Sequence, residues 1–173
     1  MELLKAEPCD FDRITEFYRY VVDHTEDMAR YGRWIYGLHP TDELIRSYVD
    51  GGYMYYYESE GKITAAVALT PFQEEDYHSV EWSLRLNDDE VCVVHILCVD
   101  PSLQKTGVAK KVMDEAARIA RAGGKKALRL DALCCNEPAH RLYEKYGFTK
   151  RAVRNWYTCN AGWIDFYVYE LNL

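Results

Sequence analysis

Apolar and polar positions alternate along the chain with two periods, near 3.6 and near 2, and the blocks they form predict its elements. Leu3 to Ala6 reads as a short first strand. Ile14, Phe17, Val21 and Val22 then share one helical side, with Asp10 or Asp12 placed to cap it. A second helix opens at Thr41-Asp42-Glu43, carries Leu44, Ile45 and Tyr48, and ends at Gly51-Gly52. Tyr53 to Glu58 and Ile63 to Thr70 flank Ser59-Glu60-Gly61-Lys62 and predict a hairpin. The acidic stretch Phe72 to Asn87 keeps neither period, so a loop or a broken strand is expected there.

The second half is easier to read. Val91 to Val99 is a β-branched apolar run stopped by Asp100-Pro101. From Gly107 to Ala122, Val108, Val112, Ala116 and Ile119 line one helical face, and Gly123-Gly124 closes it. Ala127 to Leu133 predicts a strand, Asn136 to Tyr146 a helix stopped by Gly147, and Arg151 to Tyr157 a strand pairing with Trp163 to Leu171 around Asn160-Ala161-Gly162. A strand, a crossover helix and another strand favour parallel pairing in the middle, while the flanking hairpins favour antiparallel edges. The expected class is α/β, a single mixed, mostly antiparallel sheet with a parallel central pair and helices on both faces. At 173 residues, one domain spanning 1–173 is expected.

Charge is unevenly placed. Residues 1–90 hold 8 Lys and Arg against 20 Asp and Glu, a net of −12; residues 91–173 hold 13 against 8, a net of +5. The first half should attract a cation and the second an anion, without the continuous basic face that nucleic acid requires. No basic-then-apolar leader opens the chain and no apolar run is long enough to cross a bilayer, which predicts a soluble cytoplasmic protein with no membrane partner. The six cysteines lack C-x-x-C spacing, so neither zinc nor a disulfide framework is expected; most should be small buried hydrophobes.

Between the Val91–Val99 run and the helix that follows lies Gln104-Lys105-Thr106-Gly107-Val108-Ala109. A loop feeding a helix start offers backbone N–H groups with no intrahelical acceptor at the positive end of the helix dipole, which suits a pyrophosphate. Gly107, lacking Cβ, lets the anion approach the backbone. An ordinary strand-loop-helix connection would show the same spacing.

A second motif is Asn136-x-x-Ala139-x-x-x-Tyr143-x-x-x-Gly147-Phe148. Together the two motifs resemble the GCN5-related N-acetyltransferase superfamily over about Val91 to Phe148, with Lys105 departing from a frequent glycine. The resemblance implies acetyl-CoA as co-substrate, its pyrophosphate held by the backbone of Gln104, Lys105, Thr106, Gly107, Val108 and Ala109. It implies that the pantetheine pairs with Leu97 and Val99, and that the strands ending at Val99 and near Leu133 splay to admit the thioester. A bulge in the first strand would free an N–H to act as an oxyanion donor. It further implies that Tyr143 protonates the departing thiolate, an uphill step of about 2 kcal/mol at ordinary pKa values of ~8.5 and ~10, which modest tuning would remove.

Asn136 and Tyr143 lie seven residues apart and so project from nearly one side of their helix; Asn136 can cap it or bond a ligand amide. The acceptor amine must lose a proton, which at pH 7 costs ~4.6 kcal/mol for a lysine-like amine and about 1.2 for an α-amine. His95 lies in the strand expected to line the thioester slot, and an ordinary pKa of ~6.5 suits it to proton relay. The arylalkylamine branch of the superfamily has a histidine at the matching position; a hydrogen-bonded core histidine is the competing view. Asp131 and Glu81 are lesser candidates, each explicable as a strand-end ion pair. Trp34, Tyr36 and Trp82, among aromatics in the acidic half, are expected with Asp131 to bind a cationic acceptor, although strand tyrosines such as Tyr53, Tyr55 and Tyr57 are more often packing. The expected reaction is acetyl transfer to the primary amine of a small or amino-acid-like acceptor by direct attack in a ternary complex. A protein N-terminus or lysine, and a non-catalytic acyl-CoA sensor, are the alternatives, and a homodimer stays open.

Overall fold

The computed structural model describes residues 2–173. Seven strands, β1 (Leu4–Lys5), β2 (Met54–Ser59), β3 (Lys62–Thr70), β4 (Val91–Val99), β5 (Ala127–Leu133), β6 (Thr149–Thr158) and β7 (Gly162–Asn172), form one sheet in the order β1-β2-β3-β4-β5-β7-β6. Only β4 and β5 run parallel; every other neighbouring pair is antiparallel. This is the class expected from the sequence. The helices are α1 (Phe11–His24), α2 (Met28–Tyr31), α3 (Asp42–Asp50), α4 (Val108–Ala122) and α5 (Glu137–Tyr146).

Period-2 alternation sends successive residues of β3 to opposite layers. Ala65, Val67 and Leu69 pack with Val112, Met113 and Ala116 of α4, whereas Ala66 and Ala68 pack with Ile14, Phe17 and Tyr18 of α1 and with Ile45 and Val49 of α3. Thr41 caps α3, its Oγ1 accepting from Leu44 N at 3.1 Å. Asp10 is the N-cap residue of α1, the nearer of the two expected caps, though its side chain makes no capping hydrogen bond.

Three segments differ from the sequence expectation. The four-residue α2 is too short to show a period, and β6 and β7 run beyond their alternating cores. Residues 72–87, expected as a loop or a broken strand, are a loop with a single 3-10 turn, Glu75–Ser79. A buried cation pins this segment to the sheet. Arg129 on β5, with no exposed surface, bonds Glu170 Oε1 through Nε (3.2 Å) and Nη2 (2.9 Å), reaches Gln73, and lies 3.8 Å from the Trp82 ring centroid. Glu170 also accepts from Ser83 N (3.0 Å) and Arg151 Nε (3.0 Å), so the buried charges are paired and hydrogen-bonded. Of the cysteines, Cys92 and Cys98 are buried as expected, but Cys9 and Cys159 are exposed; all six are free.

Candidate active site

The parallel pair is short. β4 and β5 are in register only from Val91–Ala127 to Val93–Arg129, after which the two strands part. The gap becomes a cleft of about 200 Å³, walled by Val94 to Leu97 of β4, Asp131 to Leu133 of β5, and Asn136, Ala139 and Tyr143 at α5. Gly32, Trp34 and His39 cover it from the α2–α3 connection, with Tyr48 of α3 beneath. The cover is tied down by Asn160 of the β6–β7 turn, whose Nδ2 donates to Arg33 O at 2.6 Å.

A bulge shapes the β4 wall. Ala68 pairs with His95 but Ala66 with Cys98, so β4 carries one extra residue there, and Ile96 stands at φ 43°. Core membership changes parity at the same place: Cys92 and Val94 face α4, and so do Leu97 and Val99, whereas Ile96 and Cys98 face α1 and α3. His95, Ile96 and Leu97 are the residues of β4 that are not buried. Tyr18 donates to the Ile96 carbonyl at 2.9 Å. Because C=O and N–H of a trans peptide point opposite ways, the Leu97 N–H is directed away from Tyr18.

The β4–α4 loop leaves the amides at the start of α4 uncapped. Gly107 is the N-cap of α4 in the left-handed region, φ 93°, with no side chain capping the helix, so its first N–H groups are left for another acceptor. A Cβ built on Gly107 would meet nothing within 4 Å, leaving open space beside the backbone. Lys105 is also left-handed, φ 64°, and Leu103 O accepts from Thr106 Oγ1 at 2.6 Å, which fixes the turn without occupying the amides of α4. The Gln104 side chain lies 3.4 Å from Thr25 Oγ1 and so ties the loop to the end of α1.

On the α5 wall, Asn136 lines the cleft and its Oδ1 accepts from Ala139 N at 3.3 Å, which caps the helix. Tyr143 is buried against Phe148 and Tyr169; burial raises its pKa, and the charge of Asp131 adds to the rise. The direction is opposite to the tuning expected of a thiolate's acid. His95 stacks on Tyr48 (centroids 5.6 Å, 23°) and bonds Thr70 Oγ1 through Nε2 at 3.1 Å. Burial pulls its pKa down to about 4, below the relay range expected from the sequence, so at neutral pH the ring is uncharged.

Asp131 has a hydroxyl for a partner and no cation. Tyr77 donates to its Oδ1 at 2.6 Å, and burial raises its pKa, with Glu74 and Asp76 pushing the same way against that hydrogen bond. The ion-pair reading of Asp131 is thereby corrected, and Glu81 is exposed away from the cleft wall. Trp34 lines the cleft, edge-on to His39 at 5.6 Å. Tyr36 and Trp82 do not. Tyr36 lies 4.8 Å from the Arg19 guanidinium and donates to Asp42 at 2.5 Å, while Trp82 stacks on Tyr77 and on Arg129, backing the Asp131 partner from behind. Tyr57 packs in the core with its hydroxyl on Lys111 O at 3.1 Å. His39, Tyr48, Thr70 and Tyr77 were not singled out by sequence. Tyr48 carried only a helix-face signal, and Tyr77 lies in the segment without period. Among the described residues no group of three or more His, Cys, Asp or Glu could hold a metal ion, and no helix is long and apolar enough to cross a membrane.

The family model of the acetyltransferase (GNAT) family matches residues 13–148, from α1 through the end of the α5 motif. The chain belongs to that family. Its fold is shared with solved acetyltransferases: ribosomal-protein-alanine N-acetyltransferase of Brucella melitensis (TM-score 0.71, 15% identity, 100% of each chain) and ribosomal-protein-S18-alanine N-acetyltransferase of Escherichia coli (TM-score 0.69, 17% identity, 98% of this chain and 92% of that one). A third, yncA of Salmonella typhimurium, solved with its cofactor acetyl-CoA, has TM-score 0.68 and 23% identity over 99% of this chain and 92% of that one. No curated protein matches. Acetyl-CoA as co-substrate fits a member of this family, and this chain has open space beside Gly107 and strands that part beyond Val93.

Proposed function

We propose that the protein, as one domain, transfers acetyl from acetyl-CoA to the primary amine of a small, cationic or amino-acid-like acceptor by direct attack in a ternary complex. One observation carries the acceptor class: Asp131 is the single acidic or basic side chain besides the histidines on the cleft wall, and it has no cationic partner. A carboxylate desolvated in this way is stabilised by an ammonium group that enters beside it, with the face of Trp34 as a further attraction.

Bound acetyl-CoA supplies the activated acetyl group. The amides around Gly107 hold its diphosphate, and the edge of β4 at Leu97 and Val99 pairs with its amide arm. The Leu97 N–H donates to the thioester oxygen as negative charge develops there. Neutral His95 accepts the proton that the acceptor nitrogen sheds. As the C–S bond breaks Tyr143 gives its proton to the departing sulfur, and the second proton, which the nitrogen loses once acylated, passes through solvent to restore the phenol. Burial raises a thiol as it raises a phenol, so desolvation that makes Tyr143 a weaker acid also makes a thiolate formed beside it a stronger base.

The test is release of free CoA thiol with acetyl-CoA and a panel of small amines, amino acids and peptides. Turnover with small cationic amines supports the reading. Turnover with peptide N-termini or lysines alone transfers the enzyme to protein acceptors, and acetyl-CoA binding without thiol release on any amine makes it a sensor.

A further inference from the structure

We infer that Thr70 sets the tautomer of His95 and so presents Nδ1, rather than Nε2, to the acceptor amine. This rests on the reading of His95 as the group that takes the amine proton. Thr70, at the end of β3, is 3% exposed, and its Oγ1 makes two contacts: the Phe72 carbonyl at 3.0 Å and His95 Nε2 at 3.1 Å. A hydroxyl has one proton, and a carbonyl can only accept. The Thr70 proton therefore goes to Phe72 O, and toward His95 its oxygen is an acceptor. Nε2 must then carry a hydrogen, which leaves the lone pair of the neutral ring on Nδ1.

Nδ1 has no partner within the chain, and among the described residues no fully buried side-chain nitrogen or oxygen lacks one, so Nδ1 is open to the cleft that His95 lines. Tyr48 stacked on the ring keeps its plane from turning over. The step balances simply. One ammonium proton passes to Nδ1, directly or through a water, and its bonding pair stays on the acceptor nitrogen as the attacking pair. His95 is then an imidazolium whose Nε2–H is still bonded to Thr70, and it returns to neutral by losing the Nδ1 proton to solvent. The reverse tautomer would point an N–H at the ammonium and could accept nothing. The segment that supplies Phe72 O thus acts on the base through Thr70, a positioning residue on a different strand.

Nitrogen-15 NMR of the imidazole rings reads this without any turnover, with His95→Gln identifying the signals of residue 95. Wild-type enzyme should show a protonated Nε2 and an unprotonated Nδ1. Thr70→Val, which keeps the shape and removes the hydroxyl, should shift population to the other tautomer and lower kcat about tenfold with the KM for acetyl-CoA unchanged; Thr70→Ser should restore both. A wild-type ring protonated on Nδ1 overturns the inference, whether or not the Val variant folds, and so does a folded Val variant whose tautomer and kcat match wild type. If the tautomer responds as expected while His95→Gln turns over normally, it is the proton-taking role of His95 that fails, not the control of its tautomer.

Discussion

The Tyr18 hydroxyl donates to the Ile96 carbonyl at 2.9 Å, at the one position of β4 where the backbone is left-handed. A side chain from α1 thereby holds the bulged peptide in the orientation that turns the Leu97 N–H away from α1. Tyr18→Phe leaves the ring in its packing and removes the tether. The expected result is a fall in kcat of about tenfold, less than the 10²–10³ of deleting an oxyanion donor outright, because the N–H is loosened and not lost. Acetyl-CoA affinity by calorimetry should hold. An unchanged kcat would show that the strand alone fixes the peptide.

At Gly107, φ 93° separates strain from charge. Asn tolerates the left-handed region better than most residues and Asp nearly as well, so Gly107→Asn and Gly107→Asp carry similar backbone cost, but only the second sets a negative charge against a diphosphate. Acetyl-CoA should bind the Asp variant at least tenfold more weakly than the Asn variant, with the gap narrowing at high salt. Equal dissociation constants would remove the loop from the binding site.

Tyr143→Phe keeps the contacts with Phe148 and Tyr169 and removes the phenol proton. kcat should drop by 10²- to 10⁴-fold with little change in acetyl-CoA affinity. A loss below about threefold would assign the proton to water.

Asp131→Asn keeps an acceptor for Tyr77 and removes the charge. With a cationic acceptor, kcat/KM should fall at least tenfold, chiefly through acceptor KM, and the decline of wild-type kcat/KM with rising ionic strength should flatten. Tyr77→Phe should give a smaller loss of the same kind. Were the Asn variant to keep its acceptor KM, the ammonium would be bound elsewhere.

His95 links pH to stability. Its pKa in the fold is about 4, below the ordinary 6.5, so between those values the unfolded chain binds a proton that the native ring refuses. Stability from this site is complete above about pH 6.5 and is lost as pH falls toward 4, by about 3 kcal/mol at most. His39 and His140 are lowered by burial too, so the measurement is the difference between wild type and His95→Gln in denaturation midpoint from pH 7 to 5. The variant should lose less; parallel curves would mean that the native ring takes up its proton as readily as the unfolded chain does.

Strands β4 and β5, helices α4 and α5 and the caps at Gly107 and Asn136 were legible in the sequence because each is set by local periodicity and by a residue whose backbone or side chain suits one position. The two motifs that carry the family likeness lie on these same elements. The bulge was expected only through the family likeness and is present, but its own residues do not mark it: Val91 to Val99 is apolar except for His95, so a one-residue slip leaves no trace in its pattern, and the parity change appears only when α1 and α4 pack on opposite faces. Nor could the sequence sort the aromatics, since Trp34, Tyr36 and Trp82 are alike in type and differ only in which cation or ring meets them. Tyr77 and Thr70 reach Asp131 and His95 from 54 and 25 residues away, and hydrogen bonds across such separations exist only once the sheet has formed. Local patterning therefore determined the sheet, its central pair and the glycine-started loop between β4 and α4. Tertiary packing decided the burial and partners of the ionisable groups, and with them which nitrogen, which carboxylate and which amide face the cleft, because desolvation and long-range hydrogen bonding depend on neighbours that no stretch of sequence contains.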